Sequence, residues 1–73
     1  MEELKTVLQE AFPNVDFENE KNLIDEGIID SLGVATIISI IEDTFDVAIT
    51  MEYIQPNNFQ SLETMWEMIE ELI

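Results

Sequence analysis

The sequence predicts an all-α fold: a small four-helix bundle of three main helices and one short helix, with a long ordered first loop. Three observations support this prediction. Apolar residues recur at helical spacing in three segments, residues suited to capping precede two of these segments, and the only strand-like stretch, VAIT, is too brief for a strand. At 73 residues the chain is predicted to form one domain, 1–73. A fold of this size buries only about 60% of its unfolded surface.

The first helix is predicted over Glu2 to Phe12. Its apolar residues follow the i, i+3, i+4, i+7 spacing of an amphipathic helix, and they are Leu4, Val7, Leu8 and Ala11. Pro13 ends this helix, because proline cannot continue the helical hydrogen bonds.

A long connection then runs from Pro13 to Asp30. Loops of this length are uncommon in compact domains unless they have a function, so we expect this one to be ordered. Gly27 permits a positive φ and would turn Ile28 and Ile29 towards the core. The apolar residues available to anchor the loop are Val15, Phe17, Leu23, Ile24, Ile28 and Ile29.

The second helix is predicted to begin at Ser31, with Asp30 as its N-cap. At 100° per residue one face carries the apolar core residues, which are Val34, Ile37, Ile38, Ile41 and Phe45. Leu32 falls on the opposite face. The same exposed face carries Ala35, Ser39, Glu42 and Asp43. Gly33, in the first turn, would permit close approach of another chain.

The rest of the chain supplies the remaining helices. After Asp46 we expect Val47 and Ile49 to pack under a turn, and Met51 to Phe59 to hold a helix of one or two turns. Ser61 can cap a last helix. The apolar residues of that helix repeat the spacing of the second, and they are Leu62, Met65, Trp66, Ile69 and Ile73.

Composition excludes several classes of function. Seventeen acids against two bases give a net charge of −15, which repels nucleic acids and anionic membranes and attracts basic proteins. With no histidine and no cysteine, the chain lacks a Ser-His or Cys-His nucleophile pair and the usual zinc ligands. We therefore expect no enzyme, no metal site and no nucleic acid partner, and stability that rises with salt.

The N-terminal stretch MEELKTVLQE is acidic, unlike a basic leader, and no apolar run approaches the roughly 20 residues that a membrane span needs. These features predict a cytoplasmic protein without a membrane span, and we expect a monomer.

The stretch GIIDSLG places an exposed serine at a helix start, where free amides and the helix dipole favour an anion. Ser31 therefore suits a phosphate ester. Asp30 adds a negative charge close by, so modification by a partner enzyme that brings Mg²⁺ would fit.

The chain resembles the acyl carrier and peptidyl carrier protein family over nearly its whole length. The resemblance lies in DSL at 30–32, the preceding loop with Gly27, and the Ile-rich helix ending EDTFDVAIT. It implies that Ser31 carries 4′-phosphopantetheine, attached from coenzyme A by a phosphopantetheinyl transferase. The arm would hold an acyl or aminoacyl group as a thioester and move it between enzymes of fatty acid, polyketide or nonribosomal peptide synthesis.

The resemblance also implies that the second helix recognises partner enzymes with basic patches. The residues expected in that role are Asp30, Leu32, Ala35, Ser39, Glu42 and Asp43. Many carriers of fatty acid synthesis have an acid after DSL, where this chain has Gly33. GIIDSLG also resembles the D-alanyl carrier proteins, and PNNFQSLETM is similar to aminoacyl-loading carriers.

One alternative belongs to a different class. An acidic helical adaptor without a covalent group would bind a basic protein, and it would tolerate Ser31→Ala but not charge reversal at Glu42 and Asp43. The carrier hypothesis predicts loss of function on Ser31→Ala with the fold close to wild type.

Overall fold

The computed structural model of the protein describes all residues, 1–73. It contains three α-helices and two short 3₁₀ helices, and no strand. The α-helices are α1 (Glu2–Ala11), α2 (Ser31–Phe45) and α3 (Leu62–Leu72). The all-α prediction and the three main helices are confirmed. Between α2 and α3 the chain makes two separate 3₁₀ helices, Met51–Tyr53 and Pro56–Phe59, where the sequence had suggested one short helix.

A single apolar core joins the three helices to the first loop. Thirteen buried apolar residues form it. They are Leu4, Leu8, Phe17, Leu23, Ile29, Ile37, Ile41, Ile49, Phe59, Leu62, Met65, Met68 and Ile69. Because three of these residues belong to the loop before α2, that loop contributes to the apolar core.

The prediction for Ile28 was wrong. Gly27 does have a positive φ of 71°, and Ile29 is buried, but the side chain of Ile28 is 38% exposed. The amides of Ile28 and Ile29 both donate to the carbonyl of Leu23, at 3.0 and 3.1 Å. The two isoleucines therefore share one tight turn, and only the second of them faces the core.

Helix α3 begins at a capping box. The Ser61 hydroxyl accepts from the amide of Thr64, and the Thr64 hydroxyl accepts from the amide of Ser61. The buried side of the helix includes Met68, which the predicted stripe left out, whereas Ile73 is 68% exposed. The buried stripe is thus rotated from the predicted one, and Ile73, the last residue, lies beyond the helix.

Helix α2 ends at Phe45, and its C-cap Asp46 has a left-handed conformation with φ of 55°. Such a residue stops a helix and turns the chain. Beyond it Ile49 is buried and Val47 is half-buried, as expected from the sequence, and the chain then enters the first 3₁₀ helix.

Candidate functional site

Asp30 and Ser31 form the start of α2. The Asp30 backbone is extended, and its side-chain Oδ1 accepts a hydrogen bond from the amide of Gly33 at 2.9 Å. This is the N-cap contact that the sequence predicted, since it satisfies one of the amides that a helix start leaves unpaired. Ser31 is the first helical residue, and its side chain is exposed. The side-chain hydrogen bonds of this turn belong to Asp30 and Thr36, and none involves Ser31.

A cleft of about 540 Å³ opens beside Ser31. Ligand sites typically enclose about 300–1,000 Å³, so this cleft has the volume of a small-molecule site. Three segments line it: the end of the first loop, the start of α2 and the second 3₁₀ helix with the residues before it. The lining residues are Ile24, Gly27, Ile29, Asp30, Ser31, Val34, Ile54, Gln55, Pro56 and Phe59.

The cleft combines an apolar interior with a few polar groups. Its apolar side chains come from all three segments, for example Ile29, Val34 and Phe59. Gln55 adds an uncharged amide, whose Nε2 donates to the Glu52 carbonyl at 3.0 Å. A flexible ligand that alternates methyl groups and amides can satisfy both kinds of surface.

Gly33 fits closely against Ile29, which gives a reason for glycine within the fold, besides the close approach of another chain that the sequence suggests. A Cβ at position 33 would lie 2.8 Å from Cγ2 of Ile29, which is only 3% exposed. Real Cβ atoms do not approach other carbons so closely. The missing side chain therefore lets the end of the loop pack on the first turn of α2, beside the cleft.

One face of α2 projects away from the core. Leu32 is 78% exposed, and Ala35, Ser39 and Asp43 are exposed as well. Glu42 is half-buried, and its Oε2 accepts a hydrogen bond from the amide of Ile49 at 2.8 Å. Four of the predicted partner residues thus share an open surface, whereas Glu42 also holds the loop that follows α2.

Both basic side chains of the protein are paired with acids. Lys5 donates to Glu18 and Lys21 donates to Glu63, each at 2.9 Å. The hydrogen bond from Lys21 lowers the pKa of Glu63, and the hydrogen bond to Glu18 raises the pKa of Lys5. Because both lysines lie before α2, the surface of α2 carries no positive side chain against its acids.

No group of three or more acidic side chains is arranged to hold a metal ion. At 15 residues the longest helix is shorter than the roughly 20 residues that a membrane span requires.

Comparison with known families identifies the chain. The model of the phosphopantetheine attachment site family matches residues 1–68, which include α1, the loop, α2 and most of α3. The chain belongs to this family. No curated protein and no solved structure gave a significant match.

Membership of the phosphopantetheine attachment family establishes the general role of the protein. These carriers bind 4′-phosphopantetheine covalently and are not enzymes. A carrier of this kind is a substrate of a phosphopantetheinyl transferase and of the biosynthetic enzymes that it serves. The alternative of an unmodified acidic adaptor is therefore set aside.

The sequence did not predict the wall of the cleft that faces the first loop. This wall consists of Ile54, Gln55, Pro56 and Phe59, which lie in an irregular stretch with no sustained apolar period. The signal that the sequence offered was Pro56, which suits the first turn of a helix and does begin the second 3₁₀ helix.

Proposed function

We propose that this carrier holds its 4′-phosphopantetheine arm on Ser31 and moves an acyl or aminoacyl group as a thioester between partner enzymes. The observation that carries the proposal is the position of Ser31. Of the three serines in the chain, Ser61 is buried and caps α3, and Ser39 lies in the middle of α2, away from the cleft. Ser31 alone combines an exposed hydroxyl, a helix start and the cleft.

The start of α2 also suits the chemistry of attachment. The Ser31 Oγ would attack the phosphorus of coenzyme A that bears the pantetheine, with loss of its proton to a base on the transferase. The bond from that phosphorus to the 3′-phospho-AMP moiety would break, and adenosine 3′,5′-bisphosphate would leave. The first-turn amides and the dipole of α2 then favour the phosphodiester charge on Ser31.

Asp30 has two roles in this proposal. Its Oδ1 is held by the Gly33 amide, which fixes the first turn of α2 and so the direction of the neighbouring Ser31. Asp30 also lines the cleft, and its carboxylate can bind the Mg²⁺ that the transferase brings, because carboxylate oxygen is a preferred Mg²⁺ ligand.

The residues of the cleft fit the arm. When bound, the arm supplies the thiol that the polypeptide lacks, and this thiol carries the cargo. Ile29, Val34 and Phe59 would shield the methyl and methylene groups of the arm from water, and Gln55 would hydrogen-bond an amide. The proposal covers acyl and aminoacyl cargo alike, including the D-alanyl group suggested by GIIDSLG.

Partner enzymes would dock on the exposed face of α2. Leu32, Ala35 and Ser39 offer a small apolar and uncharged area next to the arm, and Asp43 contributes charge. Interfaces gain association rate and orientation from complementary charge, so basic patches on the partners fit this surface.

An intact mass measurement tests the attachment site. The apo protein is incubated with coenzyme A, Mg²⁺ and a broad-specificity phosphopantetheinyl transferase, with Ser31→Ala and Ser39→Ala as parallel samples. We expect the wild type and Ser39→Ala to gain one phosphopantetheine each, and Ser31→Ala to gain none. Circular dichroism of Ser31→Ala should match the wild type, because the Ser31 side chain makes no internal hydrogen bond.

One outcome would contradict the proposal, and another would remove its support. Gain of mass by Ser31→Ala would move the attachment to another residue. Unfolding of Ser31→Ala would show that Ser31 has a structural role, and its failure to gain mass would then say nothing in favour of attachment there.

A further inference from the structure

Gln60 is a nearly buried polar residue that lies between the second 3₁₀ helix and α3. Its side chain is 9% exposed. The side-chain Oε1 accepts hydrogen bonds from two loop amides, Ile24 at 3.0 Å and Asp25 at 3.3 Å. Its backbone carbonyl accepts a third, from the amide of Leu23, at 3.0 Å. One residue thus holds three consecutive amides of the first loop, from a distance of about 36 positions along the chain.

The held segment continues directly into the attachment region. The carbonyl of Leu23 accepts from the amides of Ile28 and Ile29, at 3.0 and 3.1 Å. Ile29 precedes Asp30, the N-cap of α2. A short series of hydrogen bonds therefore runs from Gln60 through the loop to the residue next to the helix start.

The side chain of Gln60 has no comparable role elsewhere in the fold. Helix α3 begins at its own capping box of Ser61 and Thr64, which does not use the Gln60 side chain. The loop is anchored in the core by Phe17 and Leu23, independently of the Gln60 amide. What the side chain holds is Ile24 and its neighbour, and Ile24 lines the cleft.

We propose that Gln60 is a positioning residue, whose Oε1 fixes the loop wall of the cleft so that the wall can contact the arm on Ser31. This inference rests on the proposed attachment at Ser31. Without the two side-chain hydrogen bonds, the Ile24 and Asp25 amides would move outwards to hydrogen-bond with water, and Ile24 would leave the cleft. The bundle itself would remain folded, because the core residues are unchanged.

Three substitutions separate this role from general destabilisation. Gln60→Met keeps the length of the side chain and removes the acceptor. Gln60→Glu keeps acceptor oxygens, and the Gln60 Nε2 donates no hydrogen bond that would be lost. Gln9→Met is the matched control, because Gln9 also ties down the loop, through hydrogen bonds to the carbonyls of Phe12, Pro13 and Val15, but away from the cleft.

Two NMR measurements read out the effect. Amide hydrogen exchange is measured on each apo protein, and amide chemical shifts are compared between the apo and holo forms, with the arm attached by the transferase. In Gln60→Met we expect the Ile24 and Asp25 amides to exchange about tenfold faster, as for amides that lose their acceptor. Arm attachment should change the amide chemical shifts of residues near the arm. In Gln60→Met we expect these changes to be lost at Ile24 and Gly27, where the wild type should show them, and to persist at Leu32.

The remaining variants should show the specificity of the effect. Gln60→Glu should restore slow exchange and the arm-dependent shifts at Ile24, and Gln9→Met should leave both unchanged. Wild-type exchange and unchanged arm-dependent shifts in Gln60→Met would overturn the proposal. So would equal losses in Gln9→Met, or failure of a folded Gln60→Glu to restore them. If the wild type cannot be loaded at all, the attachment proposal fails, while the exchange rates still decide whether Gln60 holds the loop.

Discussion

Replacing Gly33 by alanine should destabilise this protein, although glycine to alanine usually stabilises a helix. Helix propensity alone favours alanine by up to about 1 kcal/mol, and by less in a first turn. Against this, the new Cβ would lie 2.8 Å from Cγ2 of Ile29. Carbon atoms in contact are about 3.5–4.0 Å apart, so the overlap is roughly 0.7 Å or more.

The overlap decides the sign of the effect. Ile29 is buried, and the offending atom is its branch methyl, next to the backbone, so it cannot swing aside as the tip of a long side chain would. Forcing an extra methyl into a packed site costs about 1–3 kcal/mol. We expect Gly33→Ala to lower the free energy of unfolding by about 1 kcal/mol, and Tm by about 4–8 °C for a domain of this size.

Urea and thermal unfolding followed by circular dichroism measure this change. Ile29→Leu provides the control, because leucine has a similar volume but no methyl branch at Cβ. The single change should cost less than about 1.5 kcal/mol. In the Ile29→Leu background, Gly33→Ala should be neutral or stabilising. A Gly33→Ala protein as stable as the wild type, or additive effects of the two substitutions, would refute the contact with Ile29 as the reason for glycine.

Three further outcomes are expected. Glu42→Ala should lower the free energy of unfolding by about 1–3 kcal/mol in urea titrations, because the buried amide of Ile49 loses its acceptor, whereas Asp43→Asn should change it little. The stability difference between the wild type and Lys21→Met should be greatest above the ordinary Glu pKa of 4.5. It should shrink as pH falls through the lower pKa that Glu63 has in the folded protein, because Lys21 stabilises only the ionised carboxylate. A pH-independent difference in urea midpoints would contradict this. Tm should rise between about 0.02 M and about 0.5 M NaCl, because salt screens the repulsion of a chain with net charge −15; a fall in Tm would show that the two ion pairs outweigh that repulsion.

The helices could be predicted because their signals are local. The apolar spacing of α2 and the capping residues Asp30 and Ser61 act within a few positions along the chain, and the structure places both caps as expected. The position of Leu32 on the exposed face follows from the same periodicity. The fold class needed nothing more.

The cleft and its supports could not be predicted, because they depend on contacts between distant segments. Gln60 and Ile24 are 36 positions apart, and no sequence period relates them. Gly33 has an ordinary helical conformation, and only the position of Ile29 in space shows why a larger residue does not fit. Ile28 and Ile29 look equivalent in sequence, and the shared turn on Leu23 decides which of the two is buried.

The position of both lysines, Lys5 and Lys21, outside α2 has a practical consequence for mapping complexes of this protein. Amine-reactive cross-linkers find only these two side chains to modify, and neither lies on α2. Such reagents would therefore be silent at the surface where we expect partners to dock. Carbodiimide activation of carboxylates is the chemistry that suits this surface, because it would couple Asp43 directly to a lysine of the enzyme bound there.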